Sequence, residues 1–194
     1  MKSTLLSIAL MLFISFAHSQ QSFGIKAGPS FFKLHGENYD DDGFKTKTAF
    51  HAGIYYRVPF NQTFRFQAEL LYSAEGVKFE NEDLKANIKM NYLNVPLMLQ
   101  ITTRSGFYGE TGAQIGFLMS AKAEYEEDGE KQTEDGKDFS KGTAFSWGFG
   151  VGYMKDKFGI GARYNLGLST IPKDSEDGDD KSSGFQISLL FRIK

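Results

Sequence analysis

The 194-residue chain has no cysteine, only four prolines and a single tryptophan. Without cysteine, a disulfide framework, a thiolate metal site and a cysteine nucleophile are all excluded. A basic excess is also missing, because 22 Lys and Arg stand against 24 Asp and Glu. Proteins that bind nucleic acid neutralise phosphates with such an excess, so the charge balance gives no reason to expect a nucleic-acid partner.

Glycine and phenylalanine are abundant instead, with 21 and 19 residues. Each glycine in a helix interior costs about 1 kcal/mol relative to alanine, so this composition disfavours a helical bundle. The length fits one or at most two domains.

The first residues have the pattern of an export signal. Lys2 precedes an apolar run from Leu5 to Phe16, and the small residues Ala17 and Ser19 follow. This pattern predicts a signal peptide over residues 1–19, cleaved before Gln20, and a mature domain over residues 20–194. A membrane-anchoring helix is disfavoured because it needs about 20 apolar residues. No later segment is apolar enough to cross a bilayer as a helix.

The remainder alternates between apolar and polar residues with a period of two. In residues 64–74, Phe64, Phe66 and Leu70 share one face, while Arg65 and Gln67 occupy the other. Such alternation is typical of a strand between two different environments. A tilted transmembrane strand needs roughly 9–11 residues. Eight segments of about this length recur, at residues 23–31, 50–58, 64–74, 93–101, 107–117, 145–153, 158–168 and 185–193. The pattern predicts an all-β protein, an eight-stranded antiparallel up-and-down transmembrane β-barrel.

The connections between these segments alternate in length. Three are short, at residues 59–63, 102–106 and 155–157. The other four are longer and hold 20 of the 24 acidic residues, at residues 35–47, 79–87, 124–142 and 172–183. Outer-membrane barrels have short periplasmic turns and longer extracellular loops. We therefore expect the acidic loops to be extracellular and solvated.

The apolar face is predicted to meet lipid and the polar face to fill the interior. Eight strands enclose a space just wide enough for side chains, so interior filling is favoured over a solute pathway. The predicted interior polar network comprises Lys26, Arg57, Arg65, Glu69, Glu75, Glu110, Gln114, Arg163 and Arg192. On the lipid face, aromatic residues are expected to form interfacial girdles, namely Tyr56, Tyr72, Trp147, Tyr153 and Tyr164.

Four segments carry a resemblance to a known family. They are Phe23 to Gly28, Tyr92 to Leu99, Gly148 to Tyr153 and Ala162 to Leu168, of which the Tyr-Leu-x-Val-Pro-Leu and Arg-Tyr-x-x-Gly-Leu motifs are the more specific. Nearly the whole mature chain resembles the outer membrane protein beta-barrel domain family, often labelled porin-family, of the small eight-stranded kind. The resemblance implies a cell outer membrane location, no single substrate and no catalytic residues.

Motifs for chemistry are weak. The Gly148-x-Gly150-x-Gly152 repeat lies within a strand, whereas a phosphate cradle needs a glycine turn that opens a helix. The acidic loops lack the ligand spacing of a calcium-binding loop. His35 and His51 are candidate bases of a membrane acyltransferase, but no matching Ser and Asp can be placed by spacing. We therefore predict no enzyme, no cofactor and no catalytic, cofactor-binding or metal site.

The leading hypothesis is a non-catalytic outer-membrane barrel whose acidic loops act in surface contact or membrane integrity. The alternative is a narrow pore for small solutes or ions. A soluble secreted barrel with an apolar ligand and a lipid-modifying enzyme are disfavoured. The expected partners are outer-membrane lipids, with no nucleic acid, and the barrel is expected to be a monomer. An extracellular ligand or protein partner is left open.

Overall fold

The computed structural model describes residues 21–35, 44–45, 47–80, 84–127, 130–135, 142–169 and 181–194. The predicted signal peptide and much of the predicted long loops lie outside the described residues. Across the described ranges, no helix is long and apolar enough to cross a membrane.

The described residues form ten β-strands, which are all paired antiparallel. They are β1 (Ser22–His35), β2 (Phe44–Lys45), β3 (Lys47–Pro59), β4 (Phe64–Glu80), β5 (Leu84–Thr102), β6 (Phe107–Glu127), β7 (Glu130–Asp135), β8 (Thr143–Lys155), β9 (Phe158–Gly167) and β10 (Lys181–Arg192). Eight of them pair in the cyclic order β1, β3, β4, β5, β6, β8, β9, β10 and back to β1. The predicted eight-stranded up-and-down barrel is thereby confirmed.

The two remaining strands are short extensions of this barrel. β2 pairs with the far end of β4, where Phe44 is opposite Phe79. β7 pairs with the far end of β6, where Asp135 is opposite Lys122. Neither adds a position to the ring of eight.

Three strands are longer than the alternation predicted, and this corrects the predicted loops at residues 79–87 and 124–142. β4, β5 and β6 have 17, 19 and 21 residues. Glu80 pairs with Lys85, and Leu84 pairs with Glu127. These loops were predicted wrongly because the alternation of apolar and polar residues stops there. Where a strand continues into water, both of its faces can be polar, although the hydrogen-bonded ladder continues.

The short connections are tight turns at one end of the barrel, here called the short-turn end; the opposite end is called the long-loop end. In the β3–β4 turn, the Asn61 side chain accepts hydrogen bonds from the backbone N–H groups of Thr63 and Phe64, both at 2.8 Å. Gly106 and Asp156 have positive φ angles of 99° and 51° in the other two turns. Glycine and aspartate tolerate this left-handed backbone region better than most residues.

The two faces of the sheet follow the predicted assignment. Leu97 and Ile187 point outward with 42% and 37% of their surface exposed, whereas Gln114 points inward with 8% exposed. The buried set is rich in polar and charged side chains, and most exposed large residues are apolar. The prediction that the apolar face points away from the barrel axis is confirmed.

A proline interrupts the ladder beside the barrel interior. Between β4 and β5, Ala68 pairs with Leu97 and Leu71 with Asn94, but the residues between these two pairs do not pair across the two strands; Glu69 and Pro96 pair only with their other neighbours, β3 and β6. Proline has no backbone N–H to donate, so it cannot continue the ladder on that side. The gap falls at Glu69, the residue on which the interior network centres.

Arginine substitution tests the face assignment. Leu97→Arg and Ile187→Arg should each lower the free energy of unfolding by about 2–4 kcal/mol, since each places a charge in hydrocarbon near the midplane. Gln114→Arg should cost much less, because the new side chain faces the polar interior. Denaturant unfolding in lipid vesicles measures all three, and equal losses would contradict the assignment.

Candidate functional site

The barrel interior contains a buried ion-pair network that centres on the Glu69 carboxylate. Lys26 approaches Glu69 from β1, with its Nζ atom 3.2 Å from Oε2. Arg163 approaches from β9 and donates two hydrogen bonds, from Nη2 to Oε1 at 2.5 Å and from Nη1 to Oε2 at 3.1 Å. Such a two-pronged arginine–carboxylate contact fixes both side chains in position.

The same arginine connects Glu69 to a second carboxylate. Arg163 Nε donates to Glu110 Oε1 on β6 at 2.7 Å. Gln100 on β5 donates to Glu110 Oε2 at 2.9 Å and to Gln67 Oε1 at 3.1 Å. Gln67 in turn donates to Glu69 Oε1 at 2.5 Å. The contacts thus cross the barrel from β1 through β4, β5 and β6 to β9.

The charges of the four ionic residues cancel. Lys26, Glu69, Glu110 and Arg163 each have side chains that are at most 5% exposed. Removing such groups from water carries a large desolvation cost, which only close pairing and further hydrogen bonds offset. Here the close pairing comes from two cations and two carboxylates, and the further hydrogen bonds come from Gln67 and Gln100.

Glycines on β8 make room for this network. A Cβ atom on Gly150 would lie 2.9 Å from Glu110 Cγ, and one on Gly148 would lie 3.4 Å from Arg163 Cδ and 3.1 Å from Met98 Cε. Side chains at both positions would compete with the network for space. The inward positions of β8 are therefore small because those of its neighbours are large.

Four predicted residues do not join the network. Glu75 lies farther along β4 and accepts a hydrogen bond from Asn94 Nδ2 at 3.2 Å. Gln114 is buried, and its Oε1 atom has no hydrogen-bond partner. Arg65 and Arg192 lie near the short-turn end, where their positive charges and that of Arg57 repel one another. Among the described residues, neither Arg65 nor Arg192 forms an ion pair.

Arg57 reaches the network through an amide. Its Nε and Nη2 atoms donate to Gln67 Oε1 at 2.8 and 2.5 Å. Its guanidinium also lies over the rings of Tyr55 and Tyr108, at 5.0 and 5.9 Å from their centroids. A cation over an aromatic face is attracted by the ring's electron density, so Arg57 is stabilised without a carboxylate.

Sequence reasoning did not assign several of these residues to the site. Gln67 and Gln100 lay on the predicted polar face, so the sequence predicted their inward position. It did not predict that they would hydrogen-bond to the two carboxylates. Tyr55 and Tyr108 were missed because aromatic residues were expected outside. A Cβ atom on Gly24 would lie 2.5 Å from Tyr55, and one on Gly152 would lie 2.4 Å from Tyr108. The glycines that face Tyr55 and Tyr108 on neighbouring strands were the sequence signal that could have placed these two tyrosines inside the barrel.

His51 is held by serines on both sides. Its Nδ1 atom lies 2.8 Å from Ser30 Oγ, and its Nε2 atom lies 2.9 Å from Ser188 Oγ. The imidazole is fully buried, and no carboxylate of the described residues hydrogen-bonds to it. This arrangement positions the ring structurally and lacks the orienting acid of a serine–histidine hydrolytic site. The His35 side chain lies outside the described set.

The five predicted girdle residues lie on the outer side of the barrel. Tyr56 and Tyr153 are close to the short-turn ends of β3 and β8, and the Tyr56 hydroxyl hydrogen-bonds to Gln21. Tyr72, Trp147 and Tyr164 lie farther from those turns, each about 40% exposed. The Trp147 indole N–H donates to Thr111 Oγ1 at 2.8 Å, so a neighbouring strand satisfies its polar group.

Neutralising Glu69 should destabilise the barrel. Glu69→Gln leaves Lys26 and Arg163 buried with one carboxylate between them, and breaking a buried pair costs about 3–5 kcal/mol. The control is Glu124→Gln, since Glu124 pairs with Lys89 at an exposed site and such pairs contribute about 1 kcal/mol or less. Unfolding by urea in vesicles compares them, and an equally small loss for Glu69→Gln would contradict a stabilising network.

Comparisons with known proteins agree with this architecture. The chain resembles the crystal structure of Ail, the attachment invasion locus protein of Yersinia pestis, with 19% identity and a TM-score of 0.52 over 89% of this chain and 98% of that chain. A second Ail structure, in complex with the heparin analogue sucrose octasulfate, gives 18% identity and a TM-score of 0.51 over 89% and 99%. No curated protein matches the sequence.

The sequence profile of one family matches most of the chain. It is that of the outer membrane protein beta-barrel domain, and the match covers residues 1–172. Together with the closed ring of eight strands, this places the protein in the cell outer membrane. The chain belongs to the outer membrane protein beta-barrel domain family.

Proposed function

We propose that the protein is a closed, non-catalytic outer-membrane barrel whose acidic extracellular end acts in surface contact or membrane integrity. The observation that carries this proposal is the filled interior. The Glu69–Arg163 pair spans the space between β4 and β9, and Lys26 and Glu110 close it from two further sides. A solute moving along the axis would have to break this pairing.

Apolar and aromatic side chains add to the filling. Tyr55, Leu71 and Met98 are inward-facing and at most 1% exposed. An eight-stranded barrel has an interior only about as wide as its side chains, so these groups leave little room for a continuous water path. The interior therefore supports a role in structure rather than in conduction.

The geometry of His51 supports a non-catalytic protein. Both ring nitrogens already contact serine hydroxyls, and the ring is sealed from the surface. A general base must come within hydrogen-bond reach of a substrate proton, directly or through one water. His51 has no free nitrogen with which to do so.

The extracellular connections suggest the chemistry of the contact. The four predicted loops hold 20 of the 24 acidic residues. Ail has been crystallised with a heparin analogue, which is a polyanion. The likeness between the two chains is one of fold alone, and the charge of these loops favours cationic surfaces or divalent cations at lipid headgroups over polyanions.

Closure of the ring supports a monomer surrounded by outer-membrane lipid. β1 pairs with β10 as well as with β3, so the ring of eight has no free strand edge. A free edge is the usual template for pairing with a second chain. The exposed apolar side chains on the outer face suit contact with lipid.

A narrow pore is the second candidate function. Two features support it: the polar interior, and three arginines at the short-turn end, Arg57, Arg65 and Arg192, which have no carboxylate partner among the described residues. Such a cluster would attract small anions from the periplasm. The neutral Lys26, Glu69, Glu110 and Arg163 network lies between this end and the extracellular side.

Single-channel recording distinguishes the two functions. In planar bilayers the wild-type barrel should give no discrete conductance steps, because the ion-pair network blocks the axis. The double variant Glu69→Ser with Arg163→Ser removes one charge of each sign and should give measurable steps. Regular steps from the wild-type protein, with heat-modifiable gel migration proving that it is folded, would contradict the closed barrel.

Adhesion of vesicles tests the role of the loops. Neutral phospholipid vesicles carrying the protein should bind polylysine-coated beads and not heparin-coated beads. This binding should weaken as salt rises above 0.15 M, where the Debye length is about 8 Å. A variant with Asn at Asp174, Asp177, Asp179 and Asp180 should bind polylysine less. Equal binding by the variant, or a preference for heparin, would count against the proposal.

A further inference from the structure

A small cavity lies inside the barrel between the ion-pair network and the long-loop end. Its volume is about 40 Å³. Residues from seven strands line it, among them Phe32, Glu75, Tyr92, Asn94, Gln114 and Asn165. None of these residues belongs to the ionic network, so the cavity is a separate feature of the interior.

Three side-chain polar atoms at this cavity have no hydrogen-bond partner among the described residues. Gln114 Oε1 and both side-chain polar atoms of Asn165 are buried without a hydrogen-bond partner. Gln114 is 8% exposed and Asn165 is 4% exposed. Leaving a buried polar atom without a partner is costly, so the two oxygens among these atoms point to an occupant that donates hydrogen bonds to them.

The cavity also contains a carboxyl group, that of Glu75, which has no ionic partner among the described residues. Glu75 accepts one hydrogen bond, from Asn94 Nδ2 at 3.2 Å. Within the described part of the chain, no lysine, arginine or histidine lies within ion-pair distance of Glu75. The nearest cationic network is already neutralised by Glu69 and Glu110. A cationic occupant would complete the pairing of Glu75.

Two aromatic rings complete the walls. Phe32 and Tyr92 line the cavity and are 6% and 3% exposed. Aromatic faces attract organic ammonium groups, which retain the attraction best where water is excluded. A metal cation is a poorer fit, because Ca²⁺ takes six to eight oxygen ligands and Mg²⁺ demands octahedral geometry, whereas this site has one carboxylate.

We propose that this cavity binds a primary ammonium group, with Glu75 as the counter-ion and with the Gln114 and Asn165 oxygens as hydrogen-bond acceptors. An ammonium has three N–H donors, which matches the three acceptors. A cavity for a single water needs roughly 10–15 Å³, so this cavity of about 40 Å³ holds a head group of a few atoms and no larger solute. The ligand is a small amine, or the amine end of a longer molecule entering from the long-loop end.

Side-chain amide resonances provide the test, because Asn94 and Asn165 carry amide groups at the site. Methylammonium chloride titrated into the folded barrel in detergent micelles should shift the NMR signals of both amides in a saturable manner. Tetramethylammonium has the same charge but no N–H donor and a larger volume, so it should shift neither signal. Potassium chloride at equal concentration should also leave both signals unchanged.

Two variants connect the effect to the carboxylate. Glu75→Gln should reduce the affinity for methylammonium by about tenfold or more, since it removes a charge-assisted hydrogen bond. Glu124→Gln removes an acid that pairs with the exposed Lys89 and should leave the affinity unchanged. Heat-modifiable migration establishes that each variant is folded.

Several outcomes would overturn the proposal. Equal shifts with tetramethylammonium or potassium would show that positive charge alone is recognised, and no saturable shift with methylammonium would show that the cavity is not an amine site. An unchanged affinity in Glu75→Gln would remove the counter-ion. If Glu75→Gln fails to fold, the comparison of cations on the wild-type protein decides alone. None of these results depends on whether the barrel conducts or adheres to surfaces.

Discussion

The pairing of β1 with β10 is the contact on which the rest of the structure depends. In hydrocarbon there is no water to bond to a free backbone N–H or C=O, so a sheet can cross a membrane only when its first and last strands meet. Gly24 pairs with Arg192 and His35 with Lys181, so the seam extends over almost all of β1. Closing the ring separates an outer surface from an inner space. Side chains then alternate between lipid and a narrow interior, and that division determines which residues can be polar.

The interior in turn constrains residue size. Because eight strands enclose so little space, each large inward residue needs a small one across from it. Tyr108 faces Gly152 and Gly161, while Arg163 and Glu110 lie beside Gly148 and Gly150. The glycine-rich β8 is thus the complement of charged and aromatic residues on other strands. In the same narrow space, Glu69 and Arg163 are in contact at 2.5 Å, and both side chains are at most 2% exposed.

Alternation in the sequence predicted the ring, its number of strands and the two faces of the sheet, because inward and outward positions differ by one residue along a strand; the inward Tyr55 and Tyr108 were missed. Leu97 and Gln114 illustrate this outcome. Alternation could not predict which carboxylate would meet Arg163, because Glu69 and Glu75 lie on the same strand with the same parity. The position of each carboxylate along the barrel axis depends on the register between strands. That register is set by turns and by gaps in the ladder, such as the one beside Pro96. The solvated ends of β4, β5 and β6 were missed because a strand in water needs no alternation.

Charge is distributed unevenly along the barrel axis, and this distribution bears on conduction. Arg57, Arg65 and Arg192 make the short-turn end positive, the central network is neutral, and the far end holds the Glu75 carboxyl group. A cation drawn in beside Glu75 would meet arginines before it could leave, and an anion drawn in from the other end would meet Glu75. Electrostatic repulsion by these arginines would therefore oppose the passage of cations even if the central pairs opened briefly. An amine held at Glu75 would be a resident of the site rather than a solute in transit.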